Sequence, residues 1–90
     1  MLAMAIVFIP SQLRALTQGV EQVQLDVRNV RQVIEQLEDR FPGIRERLCD
    51  GDDLAPAIQV CVGQNISTRG MFTKIEADHE VHFLPAIGGG

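Results

Sequence analysis

The sequence predicts an α+β domain in which one amphipathic helix packs across a sheet of four to five strands. Three observations carry that prediction. Strand-like runs occupy residues 2–9, 20–27, 57–62 and 80–84. One well-capped helical stretch separates the second run from the third. No internal repeat and no long linker divides the 90 residues. The order strand, strand, helix, strand, strand leaves a single helix to cover one face of a sheet, which is a two-layer solution.

Residues 2–9 read Leu, Ala, Met, Ala, Ile, Val, Phe, Ile. Apolar residues at every position suit a strand lying inside a sheet rather than on its edge. Pro10 lacks a backbone donor and stops the run. Ser11 is placed to cap a brief turn carrying Leu13 and Leu16, and Gly19 ends that connection. From Val20 to Val27 the chain alternates, with Val23, Leu25 and Val27 on one side and Gln22, Gln24 and Asp26 on the other. A period of two with one apolar side predicts a half-exposed strand, paired with the first around residues 10–19.

The helix is the firmest local feature. Asn29 is a good N-cap, and Gln32 three residues on completes a pair of the capping-box kind. Val30, Val33, Ile34, Leu37 and Phe41 then recur on one face, while Arg31, Glu35, Glu38 and Asp39 fall on the other. Pro42-Gly43 ends it. Ile44 and Leu48 form a further helical turn, and Asp50-Gly51-Asp52-Asp53 reads as a loop. Ile58, Val60 and Val62 line one side of the third strand, and Gly63-Gln64-Asn65 turns the chain. Ile66, Met71, Phe72 and Ile75 are expected in irregular segments pinned to the core. Residues 80–84 form the last strand, with Pro85 ending its regular pairing.

Composition narrows the function. Eight Lys plus Arg against twelve Asp plus Glu give a net charge of -4. That disfavours nucleic acid and anionic membranes, which are held mainly through Lys and Arg, and favours a partner with a basic face. The apolar start, MLAMAIVFI, lacks the basic flank and cleavage site of an export signal. It is also about half the ~20 residues a membrane span requires. The chain therefore reads as cytoplasmic. A core this small leaves little room for a private active site, so a carrier, module or subunit is expected rather than a lone enzyme.

The feature that carries chemistry is the end of the sequence, Leu84-Pro85-Ala86-Ile87-Gly88-Gly89-Gly90. Glycines without side chains can thread a channel too narrow for other residues. They are also the residues with most entropy to lose on ordering, so 86–90 is expected to be a mobile tail on a domain spanning 1–85. From Pro85 the tail could reach roughly 16–20 Å when extended. Its useful group is the carboxylate of Gly90, a poor electrophile until ATP converts it to an acyl-adenylate. Terminal glycines also occur as mere frayed ends. What distinguishes these is their place directly after a strand-like Val-x-Phe-Leu-Pro-Ala-Ile.

Four segments, taken in order, resemble the MoaD/ThiS family of ubiquitin-like sulfur carriers, and most closely its CysO-like subgroup. Ile9-Pro10-Ser11-Gln12-Leu13-Arg14 is similar to that group's first loop. The stretch from Asn29 to Glu38 is similar to its helix, and Phe41-Pro42-Gly43-Ile44-Arg45-Glu46-Arg47-Leu48 to the helix end. The stretch from Asp78 to Ile87 resembles the approach to the terminal diglycine. Three positions depart from the pattern. Gly63-Gln64-Asn65 stands where an Asn-Gly turn is usual, Leu54-Ala55-Pro56-Ala57 is neutral where basic residues are common, and Gly88 extends the usual pair of glycines.

The resemblance implies a ubiquitin-like β-grasp fold with a mixed sheet, and a carrier with no catalytic residues of its own. It implies that a MoeB/ThiF-like activating enzyme uses ATP and magnesium to adenylate Gly90, after which delivered sulfur yields a C-terminal thiocarboxylate. A downstream enzyme, of the molybdopterin synthase large-subunit or cysteine synthase type, would then take the sulfur for molybdopterin, thiazole or cysteine. Gly88 and Gly89 would thread the enzymes' channels. Phe83, Pro85 and Ile87 would help dock them, with Phe83 and Ile87 expected to be exposed. No cofactor is implied as bound to the carrier itself.

Other candidates read as structural. His79 and His82 lie near Glu76, Asp78 and Glu80, but this spacing reads as a solvated strand end rather than a metal site. Asp50, Asp52 and Asp53 lack the distal glutamate of a calcium loop. Cys49 and Cys61 have no C-x-x-C spacing and are expected to be inert thiols. Two further functions share these features. A ubiquitin-like modifier would join Gly90 to lysines of other proteins, and a plain binding module would carry its glycines incidentally.

Overall fold

The computed structural model describes residues 4–85. The first strand, β1 (Ala5–Phe8), is inside the sheet, as its two apolar sides require. It pairs antiparallel with β2 (Gln22–Leu25) in the register Ala5↔Leu25 to Phe8↔Gln22. Between them a 3-10 turn at Ser11–Leu13 buries Leu13. Pro10 precedes this turn, and Ser11 lies inside it without making a side-chain cap, which corrects the expected role of Ser11. Thr17 fills the connection. Its hydroxyl is fully buried and reaches the Arg14 and Val20 carbonyl oxygens at 3.2 and 2.9 Å.

Helix α1 (Val30–Arg40) starts where Asn29 Oδ1 accepts the Gln32 N–H at 2.9 Å. The reciprocal bond lands one residue earlier than a capping box would place it, because Gln32 Oε1 accepts from the Arg28 N–H at 2.7 Å. Val30, Val33, Ile34 and Leu37 are all fully buried. Pro42-Gly43 breaks the helix, with Gly43 at φ +101, a conformation that L side chains rarely adopt. Helix α2 (Ile44–Leu48) follows, and its first N–H groups are satisfied from outside: the Glu38 carboxylate accepts from Gly43 and Arg45.

Residues 50–53, expected as a loop, form a small hairpin instead. β3 (Cys49–Asp50) pairs with β4 (Asp53–Leu54), and Gly51 at φ +67 helps the chain reverse within two residues. β5 (Ile58–Val62) turns at Gly63-Gln64 into a short edge strand, β6 (Asn65–Ile66). The last strand, β7 (Glu80–Pro85), runs parallel to β1 and antiparallel to β5. Pro85 is still paired opposite Ile58, so the ladder extends through it rather than ending before it.

The result is a five-stranded mixed sheet in the order β2-β1-β7-β5-β6 with one main helix, the layout of a β-grasp domain. Its core joins the sheet residues Val7, Leu25, Val60, Val81 and Phe83 to the buried face of α1 and to Ile44 and Leu48. Met71 and Ile75 are in that core as expected, but Phe72 and Ile66 are not. Phe72 is 77% exposed and Ile66 56%. A 3-10 turn at Gly70–Phe72 rotates successive side chains by about a third of a turn, so burying Met71 points Phe72 outward. Ile66 lies on the edge strand, opposite Cys61.

Candidate functional site

The last described strand is β7, the middle strand of the sheet, held by ladders on both sides up to Pro85, which is the expected tail root. Side chains on a strand alternate between faces. Val81 and Phe83 therefore enter the core, at 0% and 4% exposure, while Glu80, His82 and Leu84 face away from the helix. This corrects the expected exposure of Phe83. Its partner Val60 is equally buried, so the pair belongs to the core. Leu84 and Pro85 are exposed, and Ile87, Gly88, Gly89 and Gly90 lie outside the described residues.

The strand registers place one row of side chains across the open face. Gln22 stands opposite Phe8, Phe8 opposite His82, His82 opposite Cys61, and Cys61 opposite Ile66. Within the row the Phe8 and His82 rings stack face to face, with centroids 4.3 Å apart and planes 8° from parallel. His82 Nε2 is 3.2 Å from Glu80 Oε1, which fixes the imidazole over the phenyl ring. A shallow cleft beside this stack runs to the end of β7, lined by Phe8, Pro10, Arg14, His82, Leu84 and Pro85. Arg14 Nε donates to the Ile9 carbonyl oxygen at 3.2 Å, which holds a guanidinium beside the tail root.

The sequence reading places His82 at a solvated strand end but does not join it to Phe8, and it misses Leu84 as an outward residue and Arg14 as the nearby cation. The stack depends on the parallel β1–β7 pairing, which joins residues more than seventy positions apart and leaves no local signal. The parity of β7 did have a signal: Val81 and Phe83 make the more apolar side of the alternation.

The arrangement can present and orient a chain end; its one His–carboxylate contact, His82 with Glu80, has no nucleophile bonded to it among the described residues. Cys61 Sγ is directed to the Gly63 carbonyl oxygen at 3.7 Å rather than to His82. Burial pushes the Cys49 thiol above its ordinary value, with Arg45 pulling weakly the other way. Both cysteines are unpaired. Among the described residues no cluster of three His, Cys, Asp or Glu could hold a metal ion. His79 Nδ1 instead accepts the Glu76 N–H at 3.2 Å, closing the loop before β7. A broader concavity lies between α1, the β3–β4 hairpin and Phe72, away from the tail root, and carries no paired catalytic groups. No helix of the described residues is long and apolar enough to cross a membrane.

Comparison with known proteins fits this geometry. The ThiS family model matches residues 7–90. The chain is similar to one in the Amycolatopsis orientalis BexX/CysO complex, with 30% identity, a TM-score of 0.85, and coverage of 96% of this chain and 99% of that one. It is similar to Mycobacterium tuberculosis CysO, at 31% identity, a TM-score of 0.82 and coverage of 92% and 99%. It shares its fold with small archaeal modifier protein 1 from Methanosarcina acetivorans, at 23% identity, a TM-score of 0.78 and coverage of 98% and 97%. No curated protein sequence matches it.

Proposed function

We propose, from the premise that the chain belongs to the ThiS family, that it is a cytoplasmic sulfur carrier acting through Gly90. The observation that carries this reading is the position of β7. A central strand, paired on both sides through Pro85, delivers residues 86–90 from a rigid anchor beside the Phe8–His82 stack. A carrier needs that combination, because two different enzymes must find the same chain end at a reproducible place.

In this account an activating enzyme of the MoeB/ThiF type supplies ATP and magnesium. The Gly90 carboxylate attacks the α-phosphorus, pyrophosphate leaves, and delivered sulfur then displaces AMP to give the thiocarboxylate. The carrier's own residues bind and orient. Leu84 and Pro85 offer an apolar contact at the tail root, the Phe8–His82 stack offers a flat surface, and Arg14 offers a positive charge. Gly88 and Gly89 pass the narrow channel. The -4 net charge suits a basic enzyme face.

Similarity to a chain of the BexX/CysO complex supports a partner enzyme for this carrier, and the downstream product we propose is of the cysteine, molybdopterin or thiazole type, the cysteine type being the one the resemblance to CysO-like carriers implies. The two unpaired cysteines suit a reducing compartment. The test is ATP-dependent pyrophosphate exchange with a ThiF-type enzyme. The full chain supports exchange and a chain lacking Gly89 and Gly90 does not. Equal exchange by both would reject the role assigned to Gly90.

A further inference from the structure

The 90 residues contain one lysine, Lys74. The other seven cationic side chains are arginines, whose guanidinium groups stay protonated and are not nucleophiles. An activated Gly90 carbonyl therefore meets a single side-chain amine on this protein. Lys74 is exposed and takes part in no ion pair among the described residues. Its backbone is fixed. Thr73 O accepts the Val30 N–H at 3.1 Å, the Ile75 N–H donates to Arg28 O at 2.8 Å, and Lys74 bridges Asn29.

Lys74 also stands at the end of the sheet opposite the tail root. The segment after it passes Met4, where the Asp78 N–H donates to the Met4 carbonyl oxygen, and enters β7 at Glu80 opposite Ile6. Pro85 is five residues further along, about 17 Å at strand rise. To reach its own Lys74, the tail would have to run back fully stretched over the length of β7. The Lys74 of a second copy has no such constraint, and an enzyme seated at the tail root of that copy leaves Lys74 uncovered.

We infer that Lys74 is the acceptor through which one copy's activated C-terminus becomes linked to the next copy. The inference rests on the reading that Gly90 is adenylated. The neutral Lys74 amine of the acceptor attacks the Gly90 carbonyl carbon of the donor. A C–N bond forms, the acyl–phosphate C–O bond breaks, AMP leaves with the electron pair, and the amine proton passes to solvent. ATP, consumed by the activating enzyme, is the only co-reactant. Since donor and acceptor surfaces differ, the linkage is head-to-tail and extends as an open chain. Sulfide competes for the same carbonyl, so linkage belongs to sulfide-poor conditions.

The test incubates the full chain with a ThiF-type activating enzyme and magnesium-ATP, without sulfide. Pyrophosphate exchange and denaturing electrophoresis are read together. The expected result is a ladder in steps of the 9.9 kDa chain, with a Gly90–Lys74 isopeptide found by peptide mass spectrometry. Lys74→Arg abolishes the ladder while exchange is unchanged. Lys74→Arg as donor, mixed with a chain lacking Gly89 and Gly90 as acceptor, gives a dimer and nothing larger. The inference is overturned by exchange without a ladder, by a ladder that survives Lys74→Arg, or by a monomer lighter by one water. Absence of exchange rejects the carrier reading itself, and the linkage with it.

Discussion

Two adjacent residues of β7 separate the core from the outward face. Phe83 is 4% exposed and sits in the core opposite Val60, whereas Leu84 is 38% exposed and faces outward at the tail root. Removing a buried phenyl ring forfeits its transfer free energy and leaves a cavity, so Phe83→Ala destabilises by about 3–5 kcal/mol. A 90-residue domain holds roughly 5–13 kcal/mol in all. At about 4–8 °C per kcal/mol for a domain of this size, the melting temperature falls by about 12 °C or more. Leu84→Ala trims a partly exposed side chain outside the core and moves Tm by no more than a few degrees, since surface substitutions stay within about 0.5 kcal/mol. Its effect appears in the rate of ATP-dependent thiocarboxylate formation at sub-saturating carrier, which drops while Tm holds. Far-UV circular dichroism melts and the formation rate, measured well below either Tm, make the comparison. If Phe83→Ala melts within a few degrees of the parent, or Leu84→Ala loses as much stability as Phe83→Ala, the assignment of faces on β7 is wrong.

Three further outcomes follow from local geometry. Gly43→Ala places a Cβ no closer than 3.9 Å to Leu16 but holds alanine at φ +101, so it costs about 1–2 kcal/mol through backbone strain alone; an unchanged Tm would show that this turn relaxes. The Arg45 and Gly43 N–H groups, in that order, hold Glu38 below its ordinary 4.5, so the stability it lends is present above that value and lost as pH falls through the lower folded value. Its carboxyl titration by NMR should have a midpoint under 4.5, and a midpoint above would remove the assigned cap of α2. Burial raises the Cys49 thiol, so at neutral pH iodoacetamide should label Cys49 more slowly than glutathione, and labelling at the same rate would contradict the desolvation.

Local patterns made most of the fold legible. Asn29 followed by apolar residues at helical spacing located α1, and alternation in 20–27 located β2, because capping and amphipathicity are written within a few neighbouring residues. The features that escaped depend on distant partners. The Phe8–His82 stack exists only because β1 and β7 run parallel. The β3–β4 hairpin is two residue pairs long, too short for alternation to show, and its Asp-Gly sequence suits a loop as well as a tight turn. Phe72 was misplaced by hydrophobicity alone, which ranks it for the core, whereas the 3-10 turn gives that place to Met71. Toward the end of the chain the sequence reading expects Phe83 to be exposed, whereas the strand's parity buries Phe83 and turns Leu84 outward.

The most direct test of the account is mass spectrometry of the intact protein and its C-terminal peptide. The protein is incubated with an activating enzyme, ATP and a sulfide source, with an alkylating agent present to trap any thiocarboxylate. The trap is needed because exchanging oxygen for sulfur weighs almost the same as oxidising Met1, Met4 or Met71. The account predicts an ATP-dependent alkylated adduct on Gly90. A Gly90 that stays a plain carboxylate with several activating enzymes, while a control carrier reacts, would contradict it.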